Sequence, residues 1–353
     1  MIFIDRLRRV VEARRRQKRE AALSRAIESY GRERLALIGL QPPPETRLIG
    51  RKKNRRVLAD GRRVWKFYRA GQAHYALNFA AAARRLAEAG LGSPVVEFLD
   101  ASGETRRRYG LCCLVMPRVP GEAPRSPMTS EDEGRLAAFL AGLHQVRSTR
   151  WGDCHDPADG SYAEAIFQLE VERELAFVAP RLVRLGLGPL PDVLGWFGRR
   201  LEGLNPLEGA FHFVSADAHP NNFLIRPDGS LCLIDLDRAR FLDFPLDLAR
   251  MIVSLHPSAL EQQTGQAEAT LLGWETQASA LLRGYFGTAP PEFRRHWERA
   301  RRAYFLRLFI RDLWNALKHL EPKWARFQKK PAAEYVGQAG RLTRLIGLFA
   351  AEP

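Results

Sequence analysis

The chain has 353 residues, 46% hydrophobic and 27% charged, the balance of an ordinary globular protein with enough length for two lobes. No apolar run approaches the roughly 18 residues of a spanning helix, and the four cysteines form no CxxC pair, which argues against a membrane-embedded chain and a disulfide framework alike. Net charge is +15, and residues 1–70 hold 21 basic against 7 acidic side chains, so nearly all the excess sits in the first fifth; such a field attracts nucleotides, phosphorylated substrates or an anionic surface.

Residues 1–40 read as a basic helix, with Phe3, Leu7, Val10 and Val11 set among arginines, and the prolines of GLQPPPE stop it. The apolar start is too short for a signal peptide and meets Asp5 at once, so a reducing, cytoplasmic setting is expected. Residues 1–45 are expected to form an N-terminal extension and linker, 46–120 a first lobe and 121–353 a second. In the first lobe, TRLIG (46–50), RRVLAD (55–60) and RRVWKFY (62–68) read as strands, the last two joined by an Asp-Gly turn. An Ala-rich helix is expected over 73–89, closed by Gly90. SPVVEFLD and YGLCCLVM supply two more strands, with Cys112 and Cys113 as core. The expected lobe is thus five strands and one helix. PRVPGEAP (117–124) reads as a linker. A helix opens at Ser130 with acidic residues in its first turn, and helical stretches are expected to continue to 203. A strand–loop–strand unit spans 211–235, and the rest reads as helical to 348.

The chemistry concentrates at VSADAHPNNFLI and LIDLD. A loop carrying Asp217 and Asn222 enters the first strand, and the second strand ends on Asp235. A hairpin of this kind is expected to gather the three at one sheet edge. Asn and Asp oxygens are hard donors suited to Mg²⁺ held against phosphates. A separate Asp can accept a hydroxyl proton. Metal, positioned nucleophile and a cation are the parts of phosphoryl transfer, and Lys66 on the third strand is the candidate cation. Asp237 reads as a supporting or substrate-facing carboxylate, and His219 as a residue that caps or packs the loop.

The stretch SADAHPNNFLI…LIDLDRARFLDFPLDLA resembles the catalytic segment of the aminoglycoside phosphotransferase and choline kinase-like family, within the protein-kinase-like superfamily. The resemblance implies an α+β fold with a small β-rich N-lobe and a larger, mainly helical C-lobe. It implies an ATP- and Mg²⁺-dependent phosphotransferase with Asp217 as catalytic base, Asn222 and Asp235 as Mg²⁺ ligands, Lys66 on the ATP phosphates, and Asp247 bracing the catalytic loop. GRKKNRRV resembles the phosphate-covering turn, with Gly50 and Asn54 in register. LVMPRVPG resembles the inter-lobe hinge, where adenine would use the carbonyl of Pro117 and the N–H of Val119. Two departures stand out. Ser215 occupies the place of a usual His, and residues 70–87 contain no Asp or Glu to pair with Lys66, leaving Asn78, His74 or another group to hold it.

The acceptor stays open among three readings. One is a hydroxyl of a small molecule or a sugar or glycolipid; LIDLDRARF and the basic first lobe also resemble bacterial lipopolysaccharide-core kinases. That reading allows the basic residues of 1–40 to hold the protein at the inner, anionic membrane face. A second is antibiotic phosphorylation, against which the basic segment would repel a polycation. A third is a nucleotide-binding pseudokinase, suggested by the missing helix carboxylate. Nucleic acid is disfavoured because the basic region lacks interleaved aromatics.

Overall fold

The structure, a computed structural model, describes residues 17–18, 20–43, 46–52, 55–124, 127–257, 265–321, 324 and 330–351. The chain divides into two compact units: Met1–Gly121 with Cys232–Arg238, and Glu122–Leu231 with Ala239–Pro353. Among the described residues no helix is long and apolar enough to cross a membrane.

The smaller unit is built on an antiparallel sheet of β1 (Arg47–Lys52), β2 (Arg55–Ala59), β3 (Arg63–Arg69), β4 (Phe98–Asp100) and β5 (Leu111–Pro117), in the order β1-β2-β3-β5-β4. The Asp-Gly turn forms as the side chain dictates: Asp60 Oδ1 accepts the N–H groups of Arg62 and Arg63, both at 2.6 Å. Alternation along β3 and β5 divides the sheet's two faces. On one face Trp65, Phe67, Leu111, Cys113 and Val115 form a buried cluster. On the other face lie Lys66 and Tyr68, with α2 (Ala73–Glu88) supplying Phe79 beneath the Lys66 ammonium, 4.2 Å from the ring centre. Helix α2 ends as the sequence suggests. Gly90 turns left-handed at φ +70°, and the N–H groups of Gly90 and Leu91 reach back to Ala87 and Leu86 at 3.0 and 2.9 Å.

Two expectations change here. The reading of five strands and one helix misses α3 (Gly103–Tyr109), which occupies the start of the expected YGLCCLVM strand. Its caps were legible: Ser102 accepts from Thr105 N–H at 3.2 Å, and Gly110 closes it in the left-handed region. The second change concerns residues 20–40. A helix, α1, covers 20–30, followed by a wide turn over Gly31–Leu35 and a tight one over Ala36–Ile38. Tyr30 and Leu35 join the Trp65–Phe67 cluster and are fully buried. Trp65 Nε1 donates to the Leu40 carbonyl at 2.8 Å, and Tyr30 Oη donates to buried Asp100 at 2.8 Å. This segment closes one face of the sheet, because that face would otherwise expose Trp65 and Phe67. Phe3, Leu7, Val10 and Val11 lie outside the described residues.

The larger unit is mainly helical. Its helices are α4 (Ser130–Leu143), α5 (Glu170–Arg184), α6 (Val193–Arg199), α7 (Pro245–Leu255), α8 (Ala267–Gln277), α9 (Ser279–Thr288), α10 (Pro291–Leu320) and α11 (Ala332–Ala351). The cap of α4 is Thr129, which accepts from Asp132 N–H at 3.1 Å, with Ser130 as the first helical residue. The run expected to be helical through 203 is interrupted by β6 (Arg147–Ser148) and β7 (Gly152–Asp153). These join β8 (Phe211–Val214) and β11 (Arg240–Leu242) in a small sheet ordered β6-β8-β11-β7. Between them in sequence lie β9 (Phe223–Ile225) and β10 (Leu231–Leu233). Arg307 of α10 is buried on two carboxylates of α5, Glu174 and Glu170, each at 2.6 Å. With two such partners the buried cation is charge-compensated, and removing either carboxylate would leave it less so.

Candidate active site

In the larger unit, all four residues of β8 are buried, and the strand delivers the chain into the loop Ser215–His219. Ala216 adopts φ +54°, an uncommon region for a residue with a Cβ. Asp247, in the first turn of α7, compensates. Its fully buried carboxylate accepts the Ser215 N–H at 2.6 Å and the Ala216 N–H at 3.0 Å. His144 Nε2 lies 3.6 Å from the same carboxylate. Pro220–Asn222 make one tight turn, with Asn222 N–H on the His219 carbonyl at 2.9 Å. Asn222 Nδ2 then donates to the Asp217 carbonyl at 2.8 Å. The backbone of Asp217 is thereby held from both sides. The half-buried His219 contributes its carbonyl to this turn.

The Asp217 carboxylate remains 30% exposed, with Arg250 Nη2 4.0 Å away. Arg250 is held in turn by Asp312 of α10, with Nη1 at 3.0 and 2.8 Å from its two oxygens. Burial raises the Asp312 carboxyl; Arg250 opposes the shift and the charge of Asp217 adds to it. Sequence reasoning passed over Arg250 and Asp312. Arg250 stands three residues after Asp247 on the same helix, a usable signal. Asp312 lies 62 residues further on, with no local signal.

In the smaller unit, Lys66 is buried and its ammonium lies 3.4 Å from Asp235 Oδ1 and 3.2 Å from Asp237 Oδ1. Arg55 Nη1 lies 3.3 Å from Asp235 and makes a short ion pair with Asp237. Tyr68 Oη donates to Asp237 Oδ1 at 2.8 Å; burial, foremost, raises its phenol pKa, so the donor keeps its proton. The register explains the convergence: Arg55 pairs with Tyr68 and Val57 with Lys66, which puts Arg55 on the Lys66 face. Of the two helix residues suggested as partners of Lys66, Asn78 donates to the Asp237 backbone carbonyl at 3.3 Å, and His74 lies against Tyr75. Leu233 N–H on the Gly92 carbonyl, at 3.0 Å, ties this acidic segment to the loop after α2.

Gly50 sits at a bulge between β1 and β2, where an added Cβ would meet the Val57 side chain at 3.1 Å. Pro117 ends β5, and Pro117 and Val119 are both half-buried. Asn54 lies outside the described residues. Each unit offers hard donor chemistry of its own: in the smaller, Asp235 has carboxylate oxygen, and in the larger, Asn222, with its Nδ2 committed to Asp217, has an oxygen as its remaining side-chain donor atom.

The chain resembles several solved structures. A choline/ethanolamine kinase family protein from Mesorhizobium loti aligns at TM-score 0.52 and 18% identity, covering 93% of this chain and 98% of that one. The aminoglycoside phosphotransferase APH(4)-Ia, in complex with ADP and hygromycin B, aligns at 0.56 and 15%, covering 89% and 98%. The amicoumacin kinase hAmiN, in complex with AMP-PNP and Ca²⁺, aligns at 0.59 and 14%, covering 89% and 93%. No curated protein sequence matches the chain. The fold is protein-kinase-like, an antiparallel sheet unit followed by a mostly helical one. Residues 46–296 match the profile of the phosphotransferase enzyme family, APH, and the chain belongs to that family.

Proposed function

We propose that the protein transfers the γ-phosphoryl group of ATP to a hydroxyl of a small molecule, sugar or glycolipid, with Mg²⁺. The observation that carries this reading is the braced Asp217 loop. Two backbone N–H groups on Asp247 and one carbonyl on Asn222 fix the peptide around a carboxylate that itself stays accessible. A structural aspartate would itself be consumed by such bonds; here the neighbours are, and Asp217 is left for chemistry.

In the proposed reaction the acceptor hydroxyl donates a hydrogen bond to Asp217. As its oxygen forms the new bond to the γ-phosphorus, the bond to the bridging oxygen of ADP breaks and the hydroxyl proton passes to Asp217. Lys66 binds phosphate oxygens, Gly50 permits close backbone approach above them, and Pro117 and Val119 offer the carbonyl and N–H for adenine. Asn222 and Asp235 would hold Mg²⁺, which neutralises phosphate charge when bound. Asp247 keeps the loop in its left-handed turn, and Arg250 orients the Asp217 carboxylate from the side.

The basic bias of residues 1–70 supports an uncharged or anionic acceptor over a polycationic aminoglycoside. A glycolipid acceptor would bring the protein to an anionic surface, with the basic residues of 1–40 as the attracting charge. The pseudokinase reading began from the carboxylate missing on the helix after Lys66; Asp235 and Asp237 lie beside Lys66 instead, which favours the catalytic reading. The test is phosphate transfer from labelled ATP with Mg²⁺ to panels of sugars, glycolipids and aminoglycosides. Label in a sugar or glycolipid fraction supports the reading, and label confined to aminoglycosides replaces it with antibiotic phosphorylation.

A further inference from the structure

The helix that faces Lys66 contributes an aromatic ring and an amide, Phe79 and Asn78, and no carboxylate. The carboxylates come instead from the segment after β10. Asp237 is the more committed of the two. Its Oδ1 takes Lys66 and Tyr68, its Oδ2 takes Arg55, and its backbone carbonyl takes Asn78. Its side chain is 12% exposed against 24% for Asp235. Four separate groups thus hold one aspartate between two cations. The balance of charge matters: Lys66 and Arg55 offset Asp235 and Asp237. If Asp235 turns to a metal ion, one carboxylate remains to keep both cations in place, and that carboxylate is Asp237.

We propose that Asp237 is the positioning carboxylate for Lys66, doing from the acidic segment what a helix carboxylate would otherwise do, and that it holds Arg55 alongside as a second phosphate-binding cation. This rests on the nucleotide-binding reading above. Arg55 suits the role, since a planar guanidinium can bind phosphate oxygens through one edge while the other stays on Asp237. Tyr68 and Asn78 then keep Asp237 from following the cations toward the nucleotide.

A double-mutant cycle on the full chain separates positioning from mere structure. Binding of Mg·AMP-PNP is measured by calorimetry for wild type, Lys66→Ala, Asp237→Asn and the pair, with thermal melting of each. Loss of the Lys66 charge is expected to weaken binding about tenfold or more. Asp237→Asn should do the same, and in the Lys66→Ala background its further effect should shrink to the part carried by Arg55, less than about half in logarithm. Arg55→Gln should weaken binding while Lys66 is present. Full additivity of Lys66→Ala and Asp237→Asn, or an Asp237→Asn variant that binds as wild type, overturns the proposal and leaves the kinase reading standing. A Lys66→Ala variant that binds as tightly as wild type overturns the kinase reading itself. Should Asp237→Asn not fold, Asp237→Glu takes its place in the cycle: it keeps the charge and moves it by one methylene, and the same non-additivity is expected.

Discussion

The Tyr30 hydroxyl donates to the buried carboxylate of Asp100 at 2.8 Å, across 70 residues of sequence. Thr105 Oγ1 donates to the same oxygen at 2.7 Å. One buried acid thus ties the helix before the sheet to the edge strand β4 and to α3. Deleting residues 1–40 is therefore expected to strip a covered face from the sheet and lower the melting temperature by many degrees. Tyr30→Phe, which leaves Asp100 one donor short, should cost about 1–3 kcal/mol in a urea titration. Co-sedimentation of the full and truncated chains with anionic vesicles reports the second role of the segment. An unchanged melting temperature after truncation would contradict the packing role.

Asp247→Ala is expected to leave the buried Ser215 N–H and the partly buried Ala216 N–H without acceptors and a left-handed Ala216 without support. Each orphaned group costs about 1–3 kcal/mol, so a loss of several kcal/mol in chemical denaturation is predicted. Asp247→Asn keeps an acceptor and should lose less. In both, kcat should fall further than the affinity for ATP, because the disturbance is centred on Asp217.

Stability should depend on pH through His212. This residue is fully buried in β8, against the rings of Phe244 and Phe293. Burial first, reinforced by neighbouring His144, Arg147 and His296, pushes its imidazole from 6.5 down to about 3. Asp243 Oδ1, 3.9 Å away, lies beyond hydrogen-bond reach of the ring, and the other oxygen of that carboxylate takes His296 at 2.6 Å and Tyr304 at 2.7 Å. The unfolded chain therefore binds a proton that the folded chain refuses between those two values. The contribution is complete above pH 6.5 and is lost on acidification at up to about 1.4 kcal/mol per pH unit. Urea titrations from pH 7 to pH 5 should show this slope, and His212→Leu should flatten it. Equal slopes in the two proteins would remove His212 from the account.

Asp312→Ala releases Arg250, whose Nη2 already stands 4.0 Å from Asp217. The freed guanidinium is expected to close onto the carboxylate and compete with the acceptor hydroxyl. Turnover should fall about tenfold, the scale of one charge-assisted hydrogen bond that must break before the acceptor can bind. Arg250→Ala in the same background should recover part of it. A double variant slower than Asp312→Ala alone would assign Arg250 a direct role in orienting substrate.

Much of the candidate site was legible because its residues are close in sequence. The loop from Asp217 to Asn222 follows from local spacing and Lys66 from its strand, while the brace at Asp247 came with the family resemblance. Other features depend on tertiary register, which spacing does not carry. Arg55 reaches the acidic segment because it pairs with Tyr68, and Asp312 meets Arg250 through the packing of α10 on α7. The helix α3 had readable caps, but its seven residues fall between two expected strands and were read as their connection, with Tyr109 given to the second. Residues 1–40 read as a helical extension, either separate or packed on the sheet, because the prolines mark only a break in hydrogen bonding. They say nothing about whether Tyr30 and Leu35 turn back onto the sheet.

Asp217 is proposed as the base of a phosphotransferase. Its most direct test is single-turnover phosphate transfer from labelled ATP to the best acceptor of the panel, by wild type and Asp217→Asn, beside calorimetric ATP binding. The expected result is a fall of at least about a hundredfold in the transfer rate, with ATP affinity and melting temperature close to wild type. Transfer by Asp217→Asn at near the wild-type rate would contradict it.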